Sequence, residues 1–503
     1  MKIAYHDLLK FLDEKPSIEI LSEKLFQLGH EHEIHGDIFE MEFTPNRGDC
    51  LSLVGLSRDL NIFFGKSKNI EIYKNEIDNL DINFKNLATE HCPKITFLEI
   101  EISDQKKEYK KYLNNFINQI GNNKTNLFTD ISNYISYEQG QPTHCYDKEK
   151  IKGELSFKNL ESDDKFNTLL GSEIQLEGQN CVFTIDEEIV SLAGVMGGES
   201  TACSSETKKV LVECAYFNPE SIIGKSVKYN LNSDASYKFE RGVDISCQEK
   251  VLRRFIKVVE DHALIKSLKM NEFTYHEYNE TILPIDVTRI NNILGTKLSE
   301  VDYIHYLEKS GFIINKTIKV PSYRHDIKTQ NDLAEEIARF IGYNNIGKSF
   351  LEFKKSKTKT NMRKSSIIKN FLINNGFNEV INFPFTSEES PHSLVIDNPL
   401  DINKKYLRTA LKNSLIDNLI YNERRQKDSI KLFEISDVYL KQSKIKRYKK
   451  LGIIISGRQG NDFDNFSKKL DYKYLDNMLN DKLDNKIFTV NEIMRSDIGS
   501  KKK

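Results

Sequence analysis

Between Phe128 and Asp244 the sequence carries GQPTHCYD, AGVMGGE, VLVECAYF and SDASYKFERGVD in close succession, and this stretch constrains the fold more than any other. CVFTIDEEIVSLAG predicts two β-rich runs joined at Asp186-Glu187. They deliver the chain to Gly194, Gly197 and Gly198, where backbone can approach a ligand or another chain closely. A pocket wall is the natural reading. Val210, Leu211 and Val212 form a short apolar run ending on Glu213, which predicts a carboxylate presented where a buried strand leaves the core. Asn218-Pro219 predicts a helix start, with Asn as the cap and Pro in the first turn.

At 503 residues the chain is long enough for three or four domains. Its 73 Lys and Arg nearly balance 74 Asp and Glu, so no global field draws it onto RNA; nucleic-acid contact must use local basic patches or a partner. The seven cysteines are scattered, without a CxxC pair or histidine at zinc spacing, and read as reduced packing thiols. No apolar run is long enough to span a membrane, and the charged N-terminus has no signal-like core. A cytoplasmic protein is expected.

Taken in order, residues 1–85 predict a small α/β layer. A helix from Ser17 carries Leu21, Leu25 and Leu28 and stops at Gly29; a strand over IFEMEFT and a second amphipathic helix over LSLVGLSRDLNIFFG follow. Residues 86–275 form a mixed α/β module closed by a helix after Asp244 with Val251, Phe255 and Val258-Val259 as its apolar stripe. Residues 279–350 read as a helical domain in which Asp332 and Glu335 have capping-box spacing. FKKSKTKTNMRKSS (353–366) reads as a basic linker, and 355–495 alternate strand and helix signals. The fold class expected is therefore α/β and α+β, multidomain.

The words DISNYISYEQGQPTHCYD, LAGVMGGESTACSSETKKVLVECAYF and SDASYKFERGVD closely resemble the editing module of the bacterial phenylalanyl-tRNA synthetase β subunit. TPNRGDCLSLVGLSRDL, VPSYRHDIKTQNDLAEEIARFIGYNNI, NPLDINKKYLRTAL and KLFEISDVYL extend the resemblance in the family's order. It implies an N-terminal layer, the editing module, a helical DNA-binding-like B5 domain and a degenerate, inactive class II synthetase domain with an antiparallel sheet. Two appendages of the family are not expected: the OB-type tRNA-binding domain usually inserted near His35-Gly36, and the C-terminal ferredoxin-like anticodon-binding domain.

The function the resemblance implies is ATP-dependent charging of tRNA(Phe) together with an α subunit in an α2β2 tetramer, ATP being a substrate of the α chain. The β chain would hydrolyse Tyr-tRNA(Phe). A pocket that accepts phenylalanine cannot strongly exclude an added hydroxyl, so a second site must read that hydroxyl, and a buried carboxylate left unpaired by phenylalanine can do so. By the resemblance Glu213 is that carboxylate, Ala193 and Gly194 are the small residues admitting the ring, His144 is the editing histidine, and Ser132 stands at the threonine of the usual DxTNY word. His144 and Ser132 would position the terminal adenosine or the water. The resemblance also assigns Asp326, Asp332, Glu335 and Glu336 to a magnesium site shared with the α subunit, oxygen ligation suiting Mg²⁺. Arg408 is expected to be structural. A non-editing assembly subunit and a free-standing deacylase are the alternative readings.

Overall fold

The computed structural model describes residues 1–65, 70–106, 108–121, 123–161, 163–348, 364–460 and 462–480. Most of the 353–366 linker and the end of the 355–495 segment lie outside them. The chain divides into two compact units, Met1–Phe350 and Leu351–Lys503.

The first unit is built on a five-stranded sheet. Ala263–Thr274, Lys94–Gln105, Lys209–Tyr216 and His144–Asp147 pair antiparallel in that order, and Asp78–Asn79 adds a parallel edge. Period-two alternation divides its faces. Val210, Val212 and Cys214 share one core with the helices Leu127–Gln139 and Gln248–His262, contributing Ile131, Ile135, Val251 and Phe255. Leu211 and Ala215 face a second core. That core is closed by another five-stranded sheet, ordered Met196–Gly197, Glu188–Leu192, Gln179–Ile185, Leu155–Glu161 and Phe84–Asn86, which supplies Phe157, Val182, Phe183 and Leu192. The two runs expected over 181–194 are antiparallel neighbours in it, and Asp186 turns the chain at φ 51°.

Glu213 departs from the sequence expectation. Its strand runs on to Tyr216, so the carboxylate is mid-strand and only 5% exposed, not at a strand mouth. It interrupts the apolar run without ending the ladder, because pairing to Lys94–Gln105 continues through Ala215 and Tyr216.

Around this centre the N-terminal layer forms as the pattern predicts: Ile18–Gln27, capped by Ser17, then Leu53–Phe64, capped by Ser52. Between them Glu31–His35 and Ile38–Glu42 make a direct hairpin through Gly36, at φ 66°, with no inserted domain. Ile3, Leu21, Leu56, Leu98 and Val212 lie in one continuous core, so the layer has no separate interior. Residues 287–341 supply Val287–Leu294, Glu300–Lys309 and Gln330–Ile341 around Ile290, Tyr303, Leu333 and Ile337, together with a small sheet of Ile282–Leu283, Ile318–Lys319 and Ile313–Ile314. Thr329 caps the last helix and Asp332 reciprocates as the third residue of its first turn; Glu335 stands outside this box.

In the second unit a long hairpin, Ile430–Lys441 with Ile445–Ser456, is joined by Asn378–Glu379 in parallel. Helices Lys364–Asn374, Lys412–Glu423 and Tyr472–Asn480 bury Leu372, Leu415, Leu419 and Leu475. The buried Arg408 guanidinium lies 2.8 Å from the buried Glu434 carboxylate, a structural ion pair.

Candidate functional site

Of the residues singled out between 132 and 213, His144 and Glu213 meet on the face of the central sheet that turns toward the second core. His144 is the cross-strand partner of Glu213, so both side chains leave the sheet on the same side, and Tyr146, two residues on, shares that face. The Tyr146 hydroxyl donates to Glu213 Oε2 at 2.6 Å, and the Tyr146 ring stands edge-on to the His144 imidazole, 4.4 Å between centroids. Burial raises Glu213 to a pKa of about 7, opposed by the Tyr146 hydrogen bond. Burial lowers His144 to about 4, so its half-buried imidazole is neutral at pH 7. Neither ring nitrogen has a hydrogen-bond partner among the described residues, leaving one of them free to accept a proton or bind a water.

Ser132 acts one step away. Its hydroxyl donates to the Thr143 carbonyl at 2.6 Å and lies 2.8 Å from the Thr143 hydroxyl, holding the residue immediately before His144. Ala193 and Gly194 form the turn after Glu188–Leu192: the Ala193 amide bonds to the Cys181 carbonyl and Gly194 sits at φ 68°. The atoms in front of Gly194 belong to Ile222, Phe217 and Phe239. The glycine lying against His144 is Gly197, where a Cβ would run into the imidazole and into Leu169. The sequence marks Gly197, with Gly194 and Gly198, as a place of close approach, but nothing in GVMGG ties it to His144.

The four carboxylates assigned to magnesium border one cleft of about 710 Å³ with Arg241, His325, Arg339 and Tyr343. Their oxygens are not gathered for a cation. Arg324 binds Asp326 through two hydrogen bonds of 2.9 Å and Glu336 through one of 2.6 Å. Asp332 Oδ2 accepts from the Lys328 and Thr329 amides at 2.9 and 2.7 Å. Among the described residues the one group with metal-ligand proximity is His30, Cys50 and Asp59, and Asp59 is there already paired with Arg47 and Arg339. The 326–336 carboxylates of this chain therefore do not fit a magnesium ion unaided. Chelation by EDTA is expected to leave the thermal midpoint of the chain alone within about 1 °C; a fall of several degrees in a calorimetric scan would reverse that conclusion.

The B3/4 domain model matches residues 91–264, the tRNA synthetase B5 domain model 283–343, and the phenylalanyl tRNA synthetase beta chain CLM domain model 351–486. Across these three matches the chain is similar to the phenylalanyl-tRNA synthetase β chain. Two similar relatives are the phenylalanine–tRNA ligase beta subunits of Carboxydothermus hydrogenoformans, 29% identical over 89% of this chain and 59% of that protein, and of Fusobacterium nucleatum, 28% identical over 93% and 62%. The chain thus spans about three fifths of the length of these β-chain relatives. A solved N-terminal fragment of the Pyrococcus horikoshii phenylalanyl-tRNA synthetase beta subunit aligns at TM-score 0.37 and 15% identity, covering 68% of this chain and 99% of the fragment. The B3/4 match encloses His144, Glu213 and Gly197. No helix among the described residues is long and apolar enough to cross a membrane.

Proposed function

We propose that this chain is the β subunit of a two-chain phenylalanine–tRNA ligase and that its central module hydrolyses Tyr-tRNA(Phe). The observation that carries the reading is the buried Glu213 carboxylate directly across the ladder from the His144 imidazole, which has no hydrogen-bond partner among the described residues. Glu213 accepts from the phenol of a misattached tyrosine; phenylalanine offers nothing to a carboxylate taken out of water and is discriminated against by that loss. His144, neutral at working pH, holds the hydrolytic water at the ester carbonyl and takes its proton. Ser132 keeps the strand entrance in register through Thr143, and Gly197 leaves the imidazole room to approach the ester.

Phenylalanine activation with ATP and transfer to tRNA(Phe) fall to the α chain in an α2β2 assembly. Ile381, Phe383, Leu400 and Ile402, all more than three quarters exposed on the second unit, support a partner chain there, since apolar side chains so placed are otherwise left in water. Magnesium at the 326–336 cleft would draw on Glu335 and Asp332, which Arg324 does not hold, with its remaining donors from outside this chain.

Glu213→Ala and His144→Ala are each expected to slow deacylation of Tyr-tRNA(Phe) by at least about tenfold, with charging by the α and β chains together unchanged. Wild-type hydrolysis in both variants rejects the site. Hydrolysis absent from the unmodified chain, with charging intact, favours a subunit that only assembles.

A further inference from the structure

The group nearest the Glu213 carboxylate is a phenol belonging to the protein. We propose that Tyr146 is a built-in phenol that holds one oxygen of Glu213 throughout the catalytic cycle, so that the carboxylate reads an incoming phenol with its other oxygen. The inference rests on the editing reading above and concerns how that site is set.

Three observations keep Tyr146 in place. Its side chain is fully buried, and its ring packs edge-on against His144 and 6.5 Å from Phe183. It belongs to a strand paired to the strand of Glu213, Tyr146 opposite Leu211 and His144 opposite Glu213, so its side-chain direction is fixed by register. Its hydroxyl also lies beside the Ser191 hydroxyl, which gives it a second polar neighbour. A ring packed in this way between two sheets does not swing out to admit a substrate. An incoming phenol must share the carboxylate with it.

Sharing has two consequences. The Tyr146 bond fixes the carboxylate plane, which aims the remaining oxygen. It also favours the ionised form, the stronger acceptor, in a site where burial opposes ionisation. The titratable groups around Glu213 are Tyr146 and His144 on the neighbouring strand, with Cys92, Cys145 and Cys214; among the described residues no lysine or arginine contributes to its charge state, so none of them substitutes for the Tyr146 hydroxyl.

The test is the pH profile of Tyr-tRNA(Phe) deacylation by the full chain between pH 5.5 and 8.5, with spontaneous ester hydrolysis subtracted, for the unmodified protein, Tyr146→Phe and Glu213→Gln. Tyr146→Phe keeps the ring and removes the donor. Its activity midpoint is expected to move up by about one pH unit from near 7, with the rate about fivefold lower at pH 7 and recovered by pH 8.5. A midpoint does not depend on the fraction of protein folded, so a merely destabilised variant would not move it. Glu213→Gln is expected to flatten the profile at a low rate. An unmoved midpoint in Tyr146→Phe, or a faster rate at pH 7 as from removal of a competing phenol, overturns the inference while leaving the editing reading standing. A wild-type profile in Glu213→Gln overturns both.

Discussion

Asp59→Ala is expected to destabilise the first unit by roughly 3–5 kcal/mol, because it strands buried cations. Asp59 is 3% exposed and accepts from Arg47 at 2.8 and 3.0 Å, from Arg339 at 2.6 and 3.1 Å, and lies 2.9 Å from His30 Nε2. Arg47 continues to Asp49, Arg339 borders Glu336, and Glu336 is held by Arg324, which also holds Asp326. The network ties the helix Leu53–Phe64 to the helix Gln330–Ile341, two elements 280 residues apart along the chain where Arg339 meets Asp59. Removing Asp59 leaves two guanidiniums in an interior with one anion fewer, and each is costly to desolvate unpaired. The two arginines hold the Asp59 carboxyl well below its ordinary range despite burial. A depressed carboxylate contributes stability above its unfolded value and loses it as pH falls, so the difference between Asp59→Ala and the unmodified chain should shrink on acidification. Urea unfolding followed by a probe in the first unit, at pH 7 and at about pH 2.5, below the ordinary carboxylate value, measures both. A loss below about 1 kcal/mol at pH 7 would mean that the arginines find other partners.

That network explains why some of the molecule was legible in the sequence and some was not. Helices such as Ile18–Gln27 and Gln248–His262 carry their own caps or apolar stripes, and the hairpin at Asp186 carries its own turn, so local pattern suffices. Asp326 and Glu336 are a different case. Their spacing relative to Asp332 and Glu335 is compatible with a metal site, yet whether an oxygen is free depends on where Arg324 points, and that is settled by packing. The same limit applies to the editing face. Glu213 and His144 stood out as residue types, but that they are cross-strand partners follows from register between strands 65 residues apart, which no local pattern encodes. Gly194 and Gly197 illustrate it most finely: both stand in one glycine-rich bend, and only Gly197 lies against the imidazole, because Gly194 turns the chain toward Phe217 and Phe239. Tyr146 is a fully buried aromatic whose hydroxyl is spent on Glu213, a contact that its place in GQPTHCYD does not announce.

Glu213 should also make the first unit less stable as pH rises, and Glu213→Gln should remove that dependence. An unfolded glutamate ionises near 4.5, whereas the buried Glu213 does so at about 7. Below 4.5 both states are neutral and the residue is without effect. Between 4.5 and 7 the unfolded chain ionises and the folded one resists, so stability falls with each increment of pH; above 7 the whole penalty, on the order of 3 kcal/mol, is present. Glu213→Gln keeps an acceptor for the Tyr146 hydroxyl and the side-chain volume while removing the ionisation. The variant is therefore expected to match the unmodified chain at pH 4 and to exceed it by about 3 kcal/mol at pH 8. Asp59 pulls the opposite way, gaining stability over a lower pH range, so the two carboxylates separate cleanly in a pH series of unfolding curves. The direction at Glu213 also bears on function. A site that keeps an ionisable carboxylate where glutamine would be more stable gives up fold stability for a stronger acceptor, as is expected where a charge is needed to read a hydroxyl and not to hold the fold. Equal stability of Glu213→Gln and the unmodified chain at pH 8 would mean that the carboxylate is hydrated in solution, and the unpaired-charge basis for discriminating phenylalanine from tyrosine would fall with it.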